Sequence, residues 1–185
     1  RQRQMCIRDS RNTAATGVTA PAYSAPSTNP FGITKLGIAN VKSAFADVDR
    51  DGDLDLFIGN AEGNTHLFRN TAAPGATAPA YAARITNPFG IIDIGGNAAP
   101  AFVDLDADGD LDLFIGNNLG NTLVFRNTAS ASATAPAYAA PSTNPFGITD
   151  VGLYAIPTFV DIDIDGDLDL FISNWDGNTL LFRNT

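Results

Sequence analysis

The densest chemistry in the chain lies in three stretches: DVDRDGDLDL from Asp47, DLDADGDLDL from Asp104 and DIDIDGDLDL from Asp161. Each sets an aspartate at every second position. The first holds Asp47, Asp49, Asp51, Asp53 and Asp55; the second Asp104, Asp106, Asp108, Asp110 and Asp112; the third Asp161, Asp163, Asp165, Asp167 and Asp169. At an effective dielectric of ~20, two carboxylates ~5 Å apart repel by roughly 3 kcal/mol, and several such pairs crowd into one tight loop. A cation is therefore expected inside each loop. Ca²⁺ accepts roughly six to eight oxygen ligands in flexible geometry. In the second loop Asp104, Asp106, Asp108 and Asp112 would supply carboxylates, Asp110 its main-chain carbonyl, and Gly109 the sharp turn. The expectation is up to three Ca²⁺, one per loop, with all fifteen aspartates as metal-site candidates. Zinc fits poorly, because no Cys or His accompanies the carboxylates. Magnesium keeps more of its waters and is the weaker alternative.

The surroundings of the loops decide what kind of element carries them. An EF-hand needs a bidentate Glu at the twelfth loop position, and that position holds Ile58, Ile115 and Ile172. The glycine-dense nonapeptide of calcium β-rolls is absent too. The loops recur every 57 residues, and APAY, NPFG and FRNT recur with them. A fixed period of this length marks a repeat architecture. The boundaries drawn from it are 11–43 for the outer strand of a preceding unit and its connection, 44–100, 101–157 and 158–185 for three repeats, the last incomplete. Residues 1–10, RQRQMCIRDS, match no part of the repeat; Met5–Ser10 back-translates to a string resembling a sequencing-adaptor end, so these residues are set aside as non-native. They contain the only Cys, Cys6, and the only Met, Met5, so no disulfide framework exists. The chain reads as a stretch of a longer protein, since Thr185 stops after FRNT where the other copies run on.

Within one period PAFVDLD and DLDLFIGN are short runs rich in β-branched and aromatic residues on either side of the Asp loop. NNLGN is a turn, TLVFRNT a third run, and PAYAAPSTNPFGI an irregular outer strand whose prolines suit an edge. Four strands per period describe one antiparallel sheet. In the second strand Leu111, Leu113 and Ile115 point one way and Phe114 the other, so sheets must pack on both of its sides. Sheets stacked face to face, one per repeat, make a β-propeller. The fold expected is thus all-β, a propeller fragment of about three four-stranded antiparallel blades in an open arc. The formal charge of −9 is local, because 15 of the 20 acidic residues sit in the three loops. Three divalent ions would bring it to −3.

The stretch PTFVDIDIDGDLDLFISNWDGNTLLFRN resembles the FG-GAP or VCBS-type repeat, the propeller blade that carries the calcium loops of integrin α-subunits. The resemblance covers residues 11–185. It implies a secreted or cell-surface propeller, typically of about seven blades, with calcium in the hairpin between a blade's first and second strands. Such repeats occur in adhesion proteins and as non-catalytic modules of secreted enzymes. The function expected is a calcium-binding extracellular interaction or adhesion module for a protein or carbohydrate ligand, with mainly structural calcium. The alternative is a propeller module appended to a larger secreted hydrolase or lyase. Neither makes this chain an enzyme, and further blades are expected in the full-length protein.

Other candidate groups carry less. His66 is the only histidine, and its counterparts are Leu123 and Leu180, so it is read as an incidental strand residue. No Ser-His-Asp or Cys-His set can be assembled. Arg69, Arg126 and Arg183 end the third strand of each copy and should pair with a neighbouring carboxylate or carbonyl. So few cations give nucleic-acid binding no electrostatic basis. The copies differ most in two connections placed opposite the Asp hairpins, where Lys35, Tyr154 and Trp175 stand, and that face is where a partner would bind. Residues 19–33, an orphan outer strand, are not expected to pair beside residues 179–185.

Overall fold

A computed structural model describes residues 25–73, 75–130 and 132–185. The chain divides into two units, residues 1–30 and 31–185, and among the described residues all strands lie in the second.

The alternating runs become three antiparallel sheets. The first contains β1 (Lys42–Ala46), β2 (Asp55–Gly59), β3 (Thr65–Phe68) and β4 (Ile85–Thr86), in that order across the sheet. The second repeats it with β5 (Ala99–Val103), β6 (Asp112–Gly116), β7 (Thr122–Phe125) and β8 (Ser142–Thr143). The third contains β9 (Ile156–Val160), β10 (Asp169–Ser173) and β11 (Thr179–Phe182). Register repeats with the sequence: Ala46 faces Asp55, Val103 faces Asp112, and Val160 faces Asp169. β5 straddles position 100/101, where the repeat boundary was drawn; a sequence period has no privileged starting point.

β6 is buried on both faces, as its double-sided apolar pattern requires. Leu113 and Ile115 pack with Phe57 and Leu67 of the first sheet, where the Phe57 and Phe102 rings meet at 4.7 Å, tilted by 59°. Phe114 turns the other way, into a cluster with Leu170 and Ile172, and meets Phe159 edge-on at 4.9 Å. Strand β1 lies against β5 and β5 against β9, so the blades stack in chain order. The stack is open at the third blade: Val160, Ile162 and Leu181 are 41%, 50% and 43% exposed, while their counterparts Ala46, Val48 and Leu67 are buried.

The glycine of IGN sets the spacing between blades. A Cβ on Gly116 would lie 2.1 Å from the Ala155 carbonyl oxygen, and one on Gly59 would lie 2.2 Å from that of Ala98. The third copy carries Ser173 at this position, and among the described residues no further blade packs on that side.

The outer strand is shorter than the sequence suggested. Only two residues pair in β4 and in β8, supplemented by bridges from Asn70 to Tyr81 and from Asn127 to Tyr138. NPFG is a turn, not a strand: Asn87 and Phe89 both adopt left-handed backbone, and Pro88–Gly90 forms a 3-10 turn. Asn87 fastens it, its Oδ1 accepting the Thr65 N–H at 2.8 Å and its Nδ2 donating to Asn64 at 2.7 Å. Residues 19–24 lie outside the described residues, and among the described ones no strand pairs with the outer edge of β11. Among them, too, no helix is long and apolar enough to cross a membrane.

Candidate metal centres

Each Asp stretch forms the hairpin between a blade's first and second strands. Its backbone follows the same path three times. The first aspartate accepts the glycine N–H through Oδ2, from Gly52 to Asp47 at 3.0 Å, Gly109 to Asp104 at 3.1 Å and Gly166 to Asp161 at 3.2 Å. The third aspartate accepts the N–H of the fourth: Asp53 to Asp51, Asp110 to Asp108, and Asp167 to Asp165. The residue at the fourth loop position is left-handed each time, with φ of 62° at Arg50, 58° at Ala107 and 64° at Ile164.

This path brings the first three aspartates together. Carboxylate oxygens of Asp47, Asp49 and Asp51 lie within 4.8 Å of one another, as do those of Asp104, Asp106 and Asp108, and of Asp161, Asp163 and Asp165. Asp47 Oδ1, Asp49 Oδ1 and Asp161 Oδ1 are buried without a hydrogen-bond partner. Buried polar atoms are almost always partnered, and a buried charge costs far more than a buried dipole. Burial also raises the Asp47 carboxyl above its ordinary value. A hard all-oxygen donor set with orphaned anionic oxygens suits a divalent cation, and all three triplets could hold one.

The fifth aspartate of each loop is placed differently. Asp55, Asp112 and Asp169 are 1–2% exposed. Asp112 accepts the Asn127 N–H through Oδ1 at 2.7 Å and the Leu105 N–H through Oδ2 at 3.3 Å. Asp55 does the same with Asn70 and Val48, and Asp169 with Asn184 and Ile162. These carboxylates tie the hairpin to the end of the third strand. Burial pushes Asp55 up to about 6 and raises Asp112 as well. The fourth aspartates differ in exposure, Asp110 being buried, where it meets the Arg50 guanidinium of the preceding blade, which also donates to the Gly109 carbonyl at 3.2 Å.

The three recurrent arginines pair as expected, each with the second aspartate of its own loop. Arg69 reaches Asp49 at 3.4 Å and Arg183 reaches Asp163 at 3.1 Å, while Arg126 pairs with Asp106. Between the first and second blades a cavity of about 40 Å³ is lined by Asp47, Arg50, Asn127 and Tyr138, room for water but not for an organic ligand. His66 is buried, with Nε2 beside the Asn60 amide and Nδ1 beside the Thr86 hydroxyl, both at 3.0 Å. Both ring nitrogens are thus engaged inside the blade.

Sequence reasoning passed over the asparagines. Asn60, Asn117 and Asn174 each use Oδ1 to close the turn that follows, and Asn70 and Asn127 bond the start of the outer segment. Their recurrence at every period was the available signal.

A family model for the FG-GAP-like repeat matches residues 47–115 and 104–172, and the two matches together take in all three hairpins. No curated protein matches the chain.

Proposed function

Because the chain belongs to the FG-GAP-like repeat family, we propose that it is a calcium-stabilised, extracellular or cell-surface propeller module that binds a protein or glycan partner and catalyses no reaction. The observation that carries the calcium reading is the thrice-repeated carboxylate triplet with buried, unpartnered oxygens in the first and third loops. Calcium is preferred over magnesium because the donors are crowded and offered by a flexible loop, whereas Mg²⁺ demands near-ideal octahedral geometry and dehydrates reluctantly. When bound, the ion supplies charge neutralisation; the residues supply the hairpin that presents it.

The extracellular placement rests on the family and on calcium supply, since extracellular modules operate with weak sites in calcium-rich surroundings. The interaction role rests on architecture: rigid stacked blades display variable connections, which is how loop-borne binding sites are built. The absence of catalysis rests on the engagement of His66 and on the structural use of the fifth aspartates.

Calcium titration into chelator-treated protein, followed by calorimetry and melting, tests the reading. At ~100 times the dissociation constant each site adds about 2.7 kcal/mol, so saturation should raise the melting temperature by more than ~10 °C. Magnesium should give less. No heat and no change in melting with calcium would refute it.

A further inference from the structure

The face opposite the Asp hairpins is built from the turns between second and third strands and the connections leading into each first strand. The three copies share one backbone arrangement there. The N–H of Ala61 donates to the Ala39 carbonyl at 3.2 Å, Asn118 to Gly96 at 3.0 Å, and Trp175 to Leu153 at 2.8 Å. The residue after each acceptor is left-handed: Asn40, Asn97 and Tyr154, with φ of 53°, 51° and 59°. Asparagine is the residue most at ease in that conformation, and two of the three copies carry it there, as NPFG does before its own left-handed phenylalanine. The copies therefore carry equivalent pairs, Asn40 with Ala61, Asn97 with Asn118, and Tyr154 with Trp175. Only the last is aromatic, and both of its members are aromatic at once.

The Tyr154 and Trp175 rings lie 5.1 Å apart with 35° between their planes. Trp175 is 69% exposed, so the outer indole face is open to solvent. Leu119 and Leu153 are also exposed beside them, and the Tyr154 N–H donates to the Asn118 carbonyl at 3.3 Å, which holds the shelf against the second blade. An exposed aromatic pair that one copy alone carries is the kind of surface on which interfaces are built, since aromatics are enriched there.

The charge in the connections of the second and third blades, and in the turn of the first, has one sign; Lys35, in the connection leading into β1, is the one cation among the connections of this face. In the five connections 60–64, 91–98, 117–121, 148–155 and 174–178 the charged residues are Glu62, Asp93, Asp150 and Asp176, with no Lys or Arg. Asp176 follows Trp175 directly, and its Oδ2 lies 3.8 Å from where a Cβ on Gly152 would sit. The quadrupole of an aromatic face attracts cations, a guanidinium stacks on such a face, and flanking carboxylates add to both. We infer that the Tyr154–Trp175 shelf binds a cationic side chain, arginine first and lysine second, presented by a basic segment of a protein partner. This rests on the interaction-module reading and gives it a place and a ligand chemistry.

Trp175 is the only tryptophan in the chain, so its emission reports on the shelf alone. The calcium-saturated protein is titrated with a blocked peptide of alternating arginine and alanine, with the glutamate counterpart, and with a neutral maltohexaose. The expected result is a saturable change with the arginine peptide only, weakening as salt rises. Asp150→Asn with Asp176→Asn should weaken binding at least roughly threefold, and Tyr154→Asn, which restores the residue of the other copies, by a similar factor. By calorimetry Trp175→Ala should weaken it at least as much, with the calcium-dependent melting unchanged. An equal response to the glutamate peptide, a response to the sugar alone, or indifference to the Asp150 and Asp176 changes would overturn the proposal. Protein that melts higher with calcium yet ignores the arginine peptide refutes the shelf and leaves the calcium reading standing; the converse pair of results separates them the other way.

Discussion

Asp112 offers the sharpest test of how the hairpins work, because the sequence made it a metal ligand and the structure gives it two backbone N–H partners. Asp112→Ala strips the acceptor from Asn127 N–H at 2.7 Å and from Leu105 N–H at 3.3 Å. Leaving a buried donor unsatisfied costs about 1–3 kcal/mol, and the longer Leu105 bond belongs at the low end. Removing a carboxylate whose ionised form is opposed by burial returns part of that. A net loss of roughly 2–3 kcal/mol follows, or about 5–10 °C in melting temperature for a chain of this size. The loss should be the same in chelator and in saturating calcium, because neither bond involves an ion. Asp106→Asn is the contrast. Its carboxylate pairs with Arg126 where both side chains are 40% exposed, and such pairs contribute about 1 kcal/mol or less. In chelator it should therefore melt close to the parent, and in calcium it should forfeit one site's contribution. Thermal melting of the two variants in both conditions reads the difference. If the Asp112→Ala deficit disappeared in chelator, the carboxylate would be acting through the cation and the backbone argument would be wrong.

Two further predictions concern the scaffold. Gly116→Ala places a methyl about 2.1 Å from the Ala155 carbonyl, so it should destabilise by about 3 kcal/mol or more; Ser173→Gly, at the equivalent uncovered position, should be near neutral, and equal effects by chemical denaturation would show that blade contact does not set the requirement. His66 has its pKa lowered by burial first and by the nearby Arg84 second, with Glu62 opposing. The unfolded chain therefore takes up a proton below about pH 6.5 while the folded one resists, and stability is lost as pH falls through that value. His66→Leu should flatten this part of the profile, and an unchanged slope between about pH 7 and 5 in denaturant melts would refute the assignment.

What could be read from the sequence followed from repetition and alternation. The period located the hairpins, and Leu113 and Ile115 against Phe114 announced a strand covered on both sides. The sign of the arginine pairing was also legible, since each copy holds one arginine in its FRNT and a surplus of carboxylates in its loop. The fourth loop position was not legible: Arg50, Ala107 and Ile164 share no property that announces left-handed backbone, and it is the surrounding hydrogen bonds that impose it. The division of labour among the aspartates was hidden for a different reason. A carboxylate of the triplet and an acceptor for two backbone N–H groups both call for a short acidic side chain, so residue type alone cannot show that Asp106 joins the cluster while Asp112 bonds the end of the third strand. NPFG misled in the same manner, because Asn87 can end a strand or hold a left-handed turn and only its bonds to Thr65 and Asn64 decide.

The departures from repetition then carry information that the repeat itself cannot. Ser173, Tyr154 and Trp175 replace residues that the other copies keep small, and all three lie at one end of the third blade. Ser173 stands where a following blade packed like the first two would meet its Cβ at a bonding distance, given the 2.1 and 2.2 Å approaches at Gly116 and Gly59. Instead its hydroxyl is 3.1 Å from that of Thr179, inside its own sheet. A neighbour on that side must therefore approach differently from the blades seen here. The aromatic pair sits on the adjoining edge, so the change of packing rule and the change of surface chemistry coincide. The exposed turns differ in all three copies, but only in the third does an aromatic pair stand beside the edge where the packing rule changes.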